Sequence, residues 1–130
     1  MSETSIDQTQ IRSLMAGHLR ASDEGNEVTL AGWGHRRRDL GGLLFIDLRD
    51  RSGLVQVSFG PDWTERISLE SSRVLSHEDV IQVKGIVVAR PQGAQNRDLG
   101  TGAIEVHAKS LEVLSNAETP AIPVYRAPED

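Results

Sequence analysis

Hydrophobic and polar residues alternate along most of this chain, and the breaks in the alternation divide it into five strands and one helix. From Glu27 to His35, Val28, Leu30 and Gly32 share one side of an extended chain, with Thr29, Ala31 and Trp33 on the other. Arg36 to Gly42 carries a turn signal in Asp39-Leu40-Gly41-Gly42. Leu43 to Asp50 alternates again. Leu44, Ile46 and Leu48 form the face that must meet a core, and Leu43, Phe45, Asp47 and Arg49 form the opposite one. Arg51-Ser52-Gly53 is a tight turn into a third strand, Leu54 to Phe59, so strands two and three predict a hairpin with Val55, Val57 and Phe59 inward. Gly60-Pro61-Asp62 ends the pattern, since proline is tolerated at a helix start and not inside one. The spacing then predicts a helix from about Trp63 to Leu75, with Trp63, Ile67, Val74 and Leu75 on its apolar side. Val80 to Ala89 is the fourth strand, Arg90 to Gly102 a long loop, and Ala103 to Leu114 the fifth strand. In that last strand Ile104, Val106 and Ala108 point inward, and Glu105, His107 and Lys109 point outward.

Three strands, a helix and two more strands is the plan of an all-β domain, a five-stranded Greek-key OB-fold barrel with one helix between strands 3 and 4. The same order also fits other small α+β folds. With 130 residues there is room for one domain. Residues 1–14 read as a polar tail and 15–115 as the folded domain, entered through a short helical or extended segment. Residues 116–130, proline-rich and without period, read as a linker leading elsewhere.

Strand parity leaves three side chains on faces where the core does not need them. Phe45 stands beside Asp47 and Arg49 on an outer face, and exposed aromatics on a sheet are where single-stranded bases stack; the plain alternative is that a loop covers it. Gln56 emerges on the same hairpin with a donor and an acceptor on one planar amide, suited to a base edge or simply to solvent. Glu105 belongs on a nucleic-acid surface only if it accepts from a base N–H; otherwise it is a solubilising carboxylate.

Composition refines this picture. The net charge of −5 argues against a nonspecific nucleic-acid coat, but arginines outnumber lysines 12 to 2 and five of them, Arg36, Arg37, Arg38, Arg49 and Arg51, fall within sixteen residues. Such a run is a candidate phosphate and base contact, or a solvated face. The absence of cysteine excludes disulfides and thiolate metal sites. The four histidines are scattered, and no phosphate-binding glycine loop, nucleophile elbow or His-Glu-x-x-His pattern is present, so no catalytic residue and no metal ligand is expected. Without an apolar leader or a run near ~18 apolar residues, a cytoplasmic protein with no membrane contact is expected.

The segment GWGHRRRDLGGLLFIDLRDRSGLVQVSF, residues 32–59, strongly resembles the N-terminal anticodon-binding OB-fold domain of bacterial-type aspartyl-tRNA synthetases. The resemblance continues through HEDVIQVKGIVVARP at 77–91 and NRDLGTGAIEVHAKSLEVLSNAETP at 96–120, and reaches back to MAGHLR at 15–20. It implies that the partner is the anticodon stem-loop of the aspartate tRNA. Phe45 matches the aromatic that stacks on the middle anticodon base, Gln56 the glutamine that bonds that base, Arg38 a base-contacting arginine, and Glu105 the glutamate near the first anticodon base. Asn96 and Arg97 match positions close to the loop, and Arg36, Arg37 and Arg49 are expected at phosphates. It also implies that the linker leads to a class II catalytic domain, outside this chain, which uses ATP and Mg; the chain itself would need no cofactor and be inactive alone. The family is usually dimeric with most of the dimer surface in that other domain, so a monomer is expected here. Two positions depart from the pattern. Ala103 replaces a common glutamate. Leu40 matches forms that charge only the aspartate tRNA, while Gly93 matches forms that also charge the asparagine tRNA. Two rival readings are a free-standing module that binds single strands without sequence preference, and a structural docking module.

Overall fold

The computed structural model describes residues 15–76 and 79–115. The expected tail at 1–14 and linker at 116–130 lie outside the described residues. The strands are β1 (Glu27–Leu40), β2 (Leu43–Asp50), β3 (Gly53–Phe59), β4 (Val80–Ala89) and β5 (Ile104–Ser115), and the helix α1 (Arg66–Ser72) stands between β3 and β4. Strands pair in the order β1-β2-β3-β5-β4 and close into a barrel, with β3 and β5 parallel and the other pairs antiparallel. This is the expected five-stranded OB-fold barrel. The inward faces anticipated for β2, β3 and β5 are the buried ones: Leu44, Ile46, Leu48, Val55, Val57, Phe59, Ile104, Val106 and Ala108 form the core with Val28, Leu30, Ile81, Val83 and Val87.

β1 runs five residues further than its alternation suggests. The expected turn shrinks to Gly41 and Gly42, both with positive φ (58° and 92°), a conformation that glycine adopts without steric cost and that two-residue hairpins require. The longer strand contains a bulge. Gly34 pairs with Leu48 and Arg36 with Asp47, leaving His35 as an extra residue. Before the bulge, even-numbered residues face the core. After it, Arg36 and Arg38 lie opposite Asp47 and Phe45 on the outer face, while Arg37 lies opposite Ile46 on the core side.

The helix is shorter than expected and turned. It spans Arg66–Ser72, and its buried residues are Ser68 and Ser72, with Leu69 and Leu75 packed against the core. Ile67 and Val74, expected inward, are 77% and 79% exposed. The cause is hydrogen bonding: Leu111 of β5 donates its N–H to Ser68 Oγ at 2.9 Å, and Ser72 Oγ bonds Leu69 O at 2.6 Å. Small hydroxyl residues let α1 approach β5 and satisfy its backbone, which an isoleucine at the same place would not do.

The entry segment is a 3-10 turn, Ala16–His18, with Ala16 and Leu19 fully buried. It is clamped to the β2–β3 turn by Ala16 N to Asp50 Oδ2 (2.7 Å) and Gly17 N to Ser52 Oγ (2.8 Å). Burial alone would raise the pKa of Asp50. Hydrogen bonds from the Ser52 hydroxyl and from the Ala16 and Ser52 N–H groups, with the nearby His18, outweigh it and hold the carboxyl below its ordinary value.

Two stability measurements check this arrangement by urea denaturation. Phe59→Ala, in the core, is expected to cost about 3–5 kcal/mol, whereas Ile67→Ala stays within about 0.5 kcal/mol because its side chain is already in water. A depressed folded pKa means that the Asp50 contribution is present above the unfolded value near about 4 and is lost as pH falls through the folded value. Asp50→Asn is therefore expected to lose on the order of 1 kcal/mol at pH 7, and the gap from the parent closes below about pH 4.

Candidate nucleic-acid interface

One open cleft of ≈ 550 Å³ lies against the outer face of β2, β3 and β5, and Arg38, Phe45, Gln56 and Glu105 all line it. The β1 bulge supplies Arg38, parity in β2 supplies Phe45, and the β3 and β5 outer faces supply Gln56 and Glu105. Phe45 is half-buried and lines the cleft, and among the described residues no loop covers it.

The polar residues form a relay. Arg38 Nη2 donates to Gln56 Oε1 at 2.7 Å and lies 3.4 Å from Asp47 Oδ1. Gln56 Nε2 donates to Glu105 Oε1 at 2.8 Å. A guanidinium on one side and a carboxylate on the other therefore fix which way the Gln56 amide points. Glu105 is only 9% exposed, so this outward position is not a solvated one. Its Oε2 accepts from Ser58 Oγ at 3.0 Å and contacts His107 Nε2 at 3.1 Å. A carboxylate has about four acceptor sites, two per oxygen. Among the described residues three are taken, and the one left is on Oε1, for a single N–H.

Three cleft residues, Trp63, Arg90 and Pro91, are not placed there by the alternation pattern. Trp63, expected on the inner face of the helix, precedes it; its Nε1 donates to Ser58 O at 3.0 Å and its ring stacks on His107 with centroids 4.0 Å apart. Arg90 is only 8% exposed and donates from Nε to Ile104 O at 2.9 Å. Burial lowers its pKa, the Glu105 and Asp47 carboxylates raise it, and Arg38 lowers it again. Pro91 lies on the rim, beside Leu43, which parity already puts on the outer face of β2. No sequence signal marks them: the helical period puts Trp63 on an inner face, and Arg90 and Pro91 fall in a loop.

The remaining expected residues are not in this cleft. Arg36 is exposed on the same face as Arg38. Arg37 spends Nη1 on Leu75 O (2.9 Å) and Nη2 on Arg73 O (2.8 Å), closing the chain behind α1 rather than facing β2's outer surface. Arg49 lines a separate cleft of ≈ 300 Å³ with Arg20 and residues 98–101. Asn96 and Arg97 are exposed in the β4–β5 loop, where Asn96 Oδ1 accepts from Asp98 N at 3.0 Å. Their loop contributes Ala94 to the rim. Leu40, 58% exposed, also borders the cleft. Among the described residues no group of His, Asp or Glu is placed to hold a metal ion, and no helix is long and apolar enough to cross a membrane.

Glu105→Leu would leave Gln56 Nε2, Ser58 Oγ and His107 Nε2 without their acceptor, Ser58 being fully buried. A loss of about 1–3 kcal/mol in urea denaturation is expected.

Comparison with known proteins agrees with this geometry. Residues 28–114 match the family model for the tRNA anti-codon OB-fold nucleic acid binding domain. The aspartate–tRNA(Asp/Asn) ligase of Rubrobacter xylanophilus is 51% identical over 115 residues, 88% of this chain and 19% of that protein. The aspartate–tRNA ligase of Oceanobacillus iheyensis is 50% identical over 107 residues, 82% of this chain and 18% of that protein. The chain thus spans about a fifth of the length of these relatives. Among solved structures, asparaginyl-tRNA synthetase from Pyrococcus horikoshii superposes with a TM-score of 0.68 at 28% identity, covering 82% of this chain and 24% of that one. A closed five-stranded barrel, a lined cleft on its β2–β3–β5 face and a family match over most of the chain meet in one conclusion: this chain belongs to the tRNA anti-codon family of OB-fold nucleic acid binding domains.

Proposed function

We propose that this chain reads the anticodon loop of the aspartate tRNA as one domain of an aspartate–tRNA ligase. The observation that carries it is the Arg38–Gln56–Glu105 relay set beside the Phe45 ring in a single open cleft. Loop bases are unpaired, so their edges and faces are both free, which is how proteins read RNA sequence. Phe45 offers the face of a ring to the middle base. Gln56, held at both ends, has one N–H and one lone pair left for that base's edge. Arg38 makes no protein bond through Nη1 among the described residues and can donate to an adjacent acceptor. Glu105 accepts one N–H from a neighbouring base. Asn96 and Arg97 flank the loop. Arg36 and Arg49 hold phosphates without reading them, and Arg37 joins them only when its carbonyl contacts open.

The similarity to aspartate–tRNA ligases supports the choice of tRNA. Aspartate activation, with its ATP and Mg, falls to the parts of such a ligase that this chain does not match, and so does most of any dimer contact. A cytoplasmic protein is the location that goes with this reading.

The test is titration of this chain, at fixed low salt, with two anticodon-loop hairpins that differ only in the middle base. Preference for the aspartate sequence is expected. Phe45→Ala should weaken that binding by ~1–3 kcal/mol and remove most of the preference. Equal affinity for both hairpins would sink base reading in favour of a nonspecific single-strand module, and no binding would leave only a docking role.

A further inference from the structure

Two rings in the cleft, Trp63 and His107, lie beyond the relay. They are parallel within 12°, with centroids 4.0 Å apart. Neither belongs to the core: Trp63 is half-buried and the His107 side chain is 28% exposed. Their positions are nonetheless fixed. The indole is tied to Ser58 O through Nε1 and lies over Gly60, where a Cβ would come within 2.9 Å of Cζ2. The next residue, Thr64, bonds Ala108 O and accepts from Gly60 N, so the backbone carrying Trp63 is anchored to β5. His107 is held through Nε2 by Glu105 Oε2. The chain has only five aromatic residues, and two of them, Phe45 and Trp63, line this one cleft.

Such a pair costs little to use. A side chain already locked in place loses almost no further rotamer freedom when a flat ligand settles on it. Stacking on a ring does not depend on base identity, so the surface suits an unpaired nucleobase next to one that is read by its edge. A pair meant only to fill the barrel would be covered.

We propose that the Trp63–His107 stack is a second nucleobase platform, so that the cleft takes two unpaired bases of a single-stranded RNA loop, one on Phe45 and one on the indole–imidazole pair. This rests on the loop-reading function proposed above and adds a second stacking residue to it. His107 links the platform to the relay, because the carboxylate that holds its ring also accepts from Gln56.

Trp63 reports on its own contacts once Trp33 is replaced. Trp33 stands outside the cleft, between Arg49 of β2 and Val80 of β4. In a Trp33→Phe protein, the anticodon-loop hairpin is titrated by calorimetry and by tryptophan emission together. Base stacking is expected to quench Trp63 emission roughly twofold at saturation, with the same midpoint as the heat. Adding Trp63→Ala should weaken binding about tenfold, and Trp63→Tyr, which keeps a ring, should stay within roughly threefold of the parent. Heat of binding with unchanged Trp63 emission overturns the platform and leaves loop reading by Phe45 intact. Full affinity in a folded Trp63→Ala protein does the same, and the emission titration decides alone if that variant does not fold. Absence of both heat and any emission change overturns loop reading and the platform with it.

Discussion

The extra residue in β1 is the constraint on which the site depends. Side chains on a strand alternate strictly, and the core requires Val28, Leu30 and Gly32 to point inward. An unbroken strand would then send Arg36 and Arg38 inward too, into a barrel that cannot solvate a guanidinium. The bulge at His35 reverses parity once, after the core has been supplied. Arg38 thereby joins Phe45 and Gln56 on one face, and the strand bends from its pairing with β4 to its pairing with β2.

The three consecutive arginines show the same constraint at work. Arg36 faces solvent, Arg37 binds two carbonyls behind α1, and Arg38 heads the relay in the cleft. Identical side chains acquire three tasks because each successive position on a pleated strand points the other way, and because β1 outruns the barrel at its far end. A run of like charge therefore does not act as a uniform patch here.

The buried carboxylate of Glu105 organises the rest. A carboxyl group this far from water is tolerable only when its polar atoms are paired, and three neighbours pair with them. The neighbouring Arg90, itself buried, adds an opposite charge. The donors are held in turn: Gln56 by Arg38, Ser58 by the strand, His107 by Trp63. A site assembled this way is organised before a ligand arrives, so binding has little ordering cost to overcome.

The alternation of apolar residues by itself determined the five strands, the inward faces of β2, β3 and β5, and the outward side of Phe45, Gln56 and Glu105, because a two-residue period maps directly onto the two faces of a sheet. The resemblance in residues 32–59 added Arg38 and the expected partner. Tertiary structure decided what depends on contacts between distant segments. It turned α1 so that Ser68 rather than Ile67 meets β5, since a backbone N–H on another strand needed an acceptor. It placed the bulge at His35, which the alternation of apolar residues does not reveal. It brought Trp63, Arg90 and His107 beside Glu105, and buried a glutamate that the sequence alone would leave in water. Periodicity records which way a side chain points; only the closed barrel decides what stands in front of it.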